Sequence, residues 1–130
     1  MLKLQVLEGV YAVCRFEPGQ RLPEWTAPGL EAELHAVLYT PGEVSVVCRE
    51  ARLPSSGVRA ERGFAALRVE GPLDFSLIGV LARLTEVLAE AGVSVFALSS
   101  FDTDTLLVRA DKLETAAAAF RTAGIPVRDF

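Results

Sequence analysis

Residues 69–109, VEGPLDFSLIGVLARLTEVLAEAGVSVFALSSFDTDTLLVR, decide the fold. The stretch from Leu67 to Glu70 has strand composition and is broken by Gly71-Pro72. Apolar residues then recur at Leu77, Val80, Leu81, Leu84, Val87, Leu88 and Ala91, while Arg83, Thr85, Glu86 and Glu90 fall on the opposite side. That spacing predicts an amphipathic helix over 76–91. Asp74 or Ser76 is placed to accept from its first free amides, and Gly92 to take the left-handed position after its last turn. Val93 to Ser100 is apolar on both faces, the pattern of a covered central strand, and Thr105 to Arg109 reads as its neighbour across the turn Phe101-Asp102-Thr103-Asp104.

Further on, Asp111-Lys112-Leu113-Glu114 has the form of a capping box. Leu113, Ala116, Ala117 and Phe120 make a buried stripe, and Gly124 is a stop, so a second helix is expected over 112–123. With Ile125 to Asp129 as a last strand, residues 65–129 run β-α-β-β-α-β, the split unit of ferredoxin-like folds. The expected class is α+β, with antiparallel sheets carrying helices on one face.

Upstream, Lys3 to Leu7 and Val10 to Phe16 are apolar runs joined at Glu8-Gly9, the spacing of a short hairpin. Residues 17–29 hold three of the seven prolines, Gly19, Gly29 and the only Trp, so an irregular surface excursion is expected there. Leu34 to Tyr39 and Val44 to Arg49 flank Thr40-Pro41-Gly42-Glu43, which predicts a hairpin with a type II turn. Residues 51–63 are polar and turn-rich and read as the connection between two halves. The first half thus has about four strands and no long helix.

Composition excludes several functions. The formal net charge is −4, and no run of Lys or Arg exceeds one residue, so nucleic acid is not an expected partner. Uninterrupted apolar stretches fall far short of the ~20 residues of a membrane span, and the first residues lack a signal-peptide pattern, so the expected location is the cytoplasm, away from membranes. Cys14 and Cys48 each lie in an apolar run and are expected to be buried thiols. The chain contains no Asn and one His, leaving no nucleophile and base pair, no metal cluster and no cofactor signature; no enzymatic activity is expected.

Several motifs resemble ACT domains, above all the small tandem-ACT proteins of bacteria. They are Glu70-Gly71-Pro72-Leu73-Asp74-Phe75-Ser76, the helix opening Leu77-Ile78-Gly79-Val80, and Val95-Phe96-Ala97-Leu98-Ser99-Ser100-Phe101-Asp102-Thr103-Asp104. Gly9-Val10-Tyr11-Ala12-Val13-Cys14 and Thr40-Pro41-Gly42-Glu43-Val44-Ser45-Val46-Val47 match the same group. The resemblance implies a C-terminal ACT domain over 64–130 and a degenerate ACT-like half over 1–63, in which an irregular segment replaces the first long helix. It also implies a homodimer and a regulatory sensor that binds an amino acid or related metabolite.

The physical chemistry of the motif suits that reading. Free amides at a helix N-terminus, expected here from Asp74 to Gly79, favour a carboxylate. Asp74, Asp102 and Asp104 are placed to receive an ammonium. Phe75, Ser76, Leu77, Ile78 and Gly79 belong to the same loop, and Gly79 inside a helix suggests close approach by a ligand or another backbone. Ser99, Ser100 and Phe101 close the neighbouring strand as a second wall. Glu43 and Ser45, by resemblance, are expected to face the same crevice. The alternative is a structural dimerisation or protein-interaction module that binds no ligand.

Overall fold

The computed structural model describes residues 2–29 and 34–130 of the chain. It divides into two compact units, Met1–Glu8 with Ala65–Phe130, and Gly9–Phe64. Residues 1–8, expected with the N-terminal half, therefore go with the C-terminal unit.

That C-terminal unit contains β1 (Leu4–Val6), the second half of β5 (Arg59–Val69), α1 (Val80–Glu90), β6 (Phe96–Ser99), β7 (Asp104–Arg109), α2 (Leu113–Thr122) and β8 (Val127–Arg128). The order β5-α1-β6-β7-α2-β8 is the split ferredoxin-like unit. Its sheet has one departure: β1 lies between β5 and β8, antiparallel to β5 with Leu4 opposite Val69, and parallel to β8 with Leu4 opposite Val127. The β1–β8 pair is thus an exception to the antiparallel sheet expected. It also removes the expected hairpin at Glu8-Gly9, since β1 pairs with β5 and β8 and not with the run that follows it.

Alternation puts Leu4, Val6, Ala65, Leu67, Val69, Leu106 and Val108 on one sheet face, where they pack with Leu84, Val87 and Leu88 of α1 and Ala116, Ala117 and Phe120 of α2. Both helices therefore cover the same face. Phe120 and Leu88 are fully buried. Each helix stops where the sequence predicts, at Gly92 (φ 73) and Gly124 (φ 83), glycines in the left-handed region that favours them. The Asp111 capping box does not form, because Ala110–Lys112 is a 3-10 turn leading into α2 without a side-chain cap. Val93 to Ser100 is not a covered central strand either. Among the described residues β6 pairs only with β7, and Phe96 and Ala97 are exposed.

The other unit contains β2 (Tyr11–Phe16), β3 (Ala36–Tyr39), β4 (Val44–Arg49) and the first half of β5, in the order β3-β4-β2-β5. Residues 59–63, expected as connection, are strand: Arg15 pairs with Arg59 and Cys14 with Ala60. The β3–β4 hairpin is present. Its turn is not type II, since Gly42 lacks the positive φ that type requires; the Thr40 hydroxyl donates to Glu43 O and accepts from Glu43 N instead. Ala12, Cys14, Phe16, Val44, Val46 and Cys48 form the core, and both cysteines are free and buried. Cys14 shares a hydrogen bond with Cys48, and this with burial pushes its thiol far above the usual range, so it stays protonated at neutral pH.

The Pro-rich segment covers this core. Trp25 packs on Phe16 with ring centroids 6.0 Å apart. A 3-10 turn at Glu24–Thr26 is held by Thr26 Oγ1 donating to Pro23 O at 2.6 Å. Arg52 donates to Trp25 O and Ala27 O, and His35 Nε2 donates to Thr26 O. Among the described residues this unit has no α-helix.

Candidate functional site

The site is built where the loop leaving β5 meets the β6–β7 turn. Leu73 N donates to Asp102 O at 2.7 Å, and Thr103 Oγ1 donates to Val69 O at 2.6 Å. These bonds tie residues 69–73 to 102–103. They leave little room at Gly71: a Cβ there would lie 3.2 Å from both Asp102 O and Leu73 N. A side chain at that position would push the two loops apart.

The helix begins later than the periodicity indicates. Gly79 adopts φ 84, so it is the residue before α1 and not part of it, and the first helical bond runs from Arg83 N to Gly79 O at 2.9 Å. A Cβ at Gly79 would meet no atom of the chain within 4 Å, so no other backbone approaches it, and its left-handed conformation by itself calls for glycine here. The expected amides of Asp74 to Gly79 are therefore loop amides; the helix N-terminal amides are those of Val80, Leu81 and Ala82, with no side chain capping them. Asp74 caps its own loop instead, accepting on Oδ1 from Ser76 Oγ at 2.7 Å and Ser76 N at 2.9 Å, while Leu77 N donates to Asp74 O. Those bonds from Ser76, the hydroxyl first, hold the Asp74 carboxyl below the usual carboxylate range.

Between these loops lies a cavity of about 370 Å³, within the range of small-molecule sites. It is lined by Leu73, Asp74, Phe75, Leu77, Gly79, Val80, Leu81, Ala82, Ser99, Ser100, Phe101, Asp102, Thr103 and Asp104. Phe75 and Phe101 form a tilted ring pair with centroids 5.5 Å apart. Ser100 N and Oγ donate to Thr103 O, and Ser99 Oγ donates to Asp104 Oδ1 at 2.7 Å from the facing position of the strand pair.

Of the residues singled out in the sequence, the fold gathers Asp74, Phe75, Leu77, Gly79, Ser99, Ser100, Phe101, Asp102 and Asp104 around this cavity. Ser76 lies behind Asp74 and outside the lining, and Ile78 is almost wholly exposed. Glu43 and Ser45 belong to the other unit, where Ser45 Oγ donates to Glu43 Oε1; the lining comes entirely from residues 73–104. Leu73, Val80, Leu81, Ala82 and Thr103 were not singled out. Reading Gly79 as a helix boundary would have exposed Val80 to Ala82 as the first turn.

The fold and the cavity define an α+β protein of ferredoxin-like type with a pocket at the N-terminus of its first helix. Residues 59–122 match the ACT domain family model. The Agobacterium tumefaciens protein Atu0741 is 30% identical, with 99% of this chain and 93% of that one covered and a TM-score of 0.89. The chain belongs to the ACT domain family. VC0802 of Vibrio cholerae shares the fold at 20% identity and a TM-score of 0.72, covering 93% of this chain and 88% of its own. The regulatory subunit of aspartate kinase from Thermus thermophilus shares it at 14% identity and a TM-score of 0.57, covering 88% and 93%. No curated protein matches the sequence. No helix among the described residues is long and apolar enough to cross a membrane.

Proposed function

We propose that this protein is a non-catalytic sensor that binds an amino acid or closely related metabolite in the cavity between the β5–α1 loop and the β6–β7 turn. The observation that carries the reading is the pairing of uncapped amides at Val80, Leu81 and Ala82 with carboxylates at Asp74, Asp102 and Asp104 around one cavity. The helix end suits a ligand carboxylate, the aspartates an ammonium, so the cavity matches a zwitterion. Family membership supports a regulatory role, and the cavity lining holds no Cys, Lys or His.

The rim supports a homodimer. Phe75, Leu77, Ile78 and Phe101 are all more than half exposed around the cavity, an apolar surface of the kind that marks an interaction site. The same rim favours the second reading, an association module without ligand. A thermal-shift screen of the common amino acids separates the two, because a ligand at a hundred times its dissociation constant adds about 2.7 kcal/mol of stability. We expect at least one to raise the melting temperature, and Ala82→Phe, which places a ring over the cavity from an exposed helix position, to abolish that rise with little change in the unliganded protein. A screen in which nothing shifts leaves the association module as the better reading.

A further inference from the structure

The unit Gly9–Phe64 buries two thiols side by side, away from the cavity. Cys14 of β2 lies opposite Val46 and Cys48 of β4 opposite Ala12, so the cysteines are diagonal neighbours on one sheet face. Both are buried in the core of that unit and share a hydrogen bond. Their environments differ. The hydrogen bond to Cys48, with burial, holds Cys14 protonated, whereas the bond from Cys14, helped by the charge of Arg52, lowers Cys48. One sulfur is thus readied to attack, and the other keeps its proton. Leu22, Trp25, Leu53 and Val58 pack against this core. The stretch carrying Trp25 lies outside the sheet and is tied down by Arg52, which donates to Trp25 O and Ala27 O, so a local opening admits a small oxidant. Diagonal partners lie about 7–8 Å apart at Cα, and a disulfide spans at most about 7 Å without backbone movement. Closing a bond here must draw β2 and β4 together, which makes it readily reduced, a switch and not a staple.

We infer that Cys14 and Cys48 form an oxidation site, at which hydrogen peroxide joins the two sulfurs in a reversible disulfide that shifts the Pro-rich cover. The Cys48 thiolate attacks one peroxide oxygen and breaks the O–O bond; Cys48 becomes a sulfenic acid, and the departing hydroxide leaves as water with the proton Cys48 gave up. The Cys14 sulfur then displaces hydroxide from Cys48, and that hydroxide leaves as water with the Cys14 proton. The two sulfurs are oxidised and the peroxide is reduced to water. The test treats the reduced full chain with hydrogen peroxide and reads intact mass, free thiols counted after unfolding, and the fluorescence of Trp25, the only Trp. The expected product is a single chain lighter by two hydrogens, with both thiols lost. Its Trp25 spectrum should change, because Trp25 packs on Phe16 two residues from Cys14, and dithiothreitol should reverse all three readings. Cys14→Ser should stop at a sulfenic acid on Cys48 that dimedone traps, and Cys48→Ser should slow peroxide consumption about tenfold. Surviving thiols, a product with added oxygen in place of the bridge, or a covalent dimer overturns the inference from the wild-type chain alone. A bridge that leaves the Trp25 spectrum unchanged overturns the movement of the cover.

Discussion

The two units face the same problem, an apolar sheet face in need of cover, and meet it differently. In Met1–Glu8 with Ala65–Phe130 the cover is two helices; in Gly9–Phe64 it includes an irregular Pro-rich segment carrying Trp25. The difference teaches where a binding site can arise. An irregular cover must satisfy its backbone group by group, and here the carbonyls of Pro23, Trp25, Thr26 and Ala27 are each taken by a side chain. A helix satisfies its own interior and leaves its first amides over. The helical unit has such uncapped amides at Val80, Leu81 and Ala82, and the cavity lies at that helix end.

Core truncation is the strongest way to break this comparison. Phe120→Ala removes a fully buried ring from beneath the helices and should cost about 3–5 kcal/mol, whereas Trp25→Ala removes a half-buried one and should cost about 2 kcal/mol, both read by chemical denaturation. Equal costs would show that the irregular cover is as tightly packed as the helical one. Next in size is Arg52→Ala, which frees the carbonyls of Trp25 and Ala27 and should cost about 1–2 kcal/mol. Because Trp25 is the only Trp, its fluorescence reports on this unit, and a red shift in the folded variant is expected. An unchanged spectrum would mean that the segment holds its place without the guanidinium.

The smallest effect belongs to the cavity loop. Asp74 is depressed in the folded state, so its contribution to stability is present above its ordinary unfolded value and fades as pH falls through the folded one. Ser76→Ala removes the larger of the two causes, and an NMR titration of the Asp74 carboxyl should show its midpoint rise toward the ordinary value. A midpoint that stays put would assign the depression to the Ser76 amide alone.

Much of the helical unit was legible because its signals are local. The 3.6-residue stripe through Leu84, Val87 and Leu88 and the glycines after each helix act within a few residues of themselves. The start of α1 was not, because Leu77 continues the apolar spacing while Gly79 supplies a backbone angle that no periodicity reports. Likewise the length of β5 was hidden by Arg59 and Glu61, polar residues that are strand because β2 pairs with them. Around the cavity, the acidic and aromatic residues drew notice by type. Val80 to Ala82 contribute amides, which every residue but proline carries, so side-chain chemistry could not mark them.

The position of β1 has a consequence for how the chain is made. Leu4 pairs with Val127, and the Gln5 side chain accepts from Arg128 across 123 residues of sequence. Strand pairings this distant must wait for the closure of a very long loop and slow folding in proportion. On the ribosome the first strand emerges before all its partners, and its sheet cannot be completed until residues 127 and 128 have been added. Until then Leu4 and Val6, which end among the most deeply buried side chains, have at most the pairing with β5, and an apolar segment in that state is exposed to aggregation and is a natural client for a chaperone.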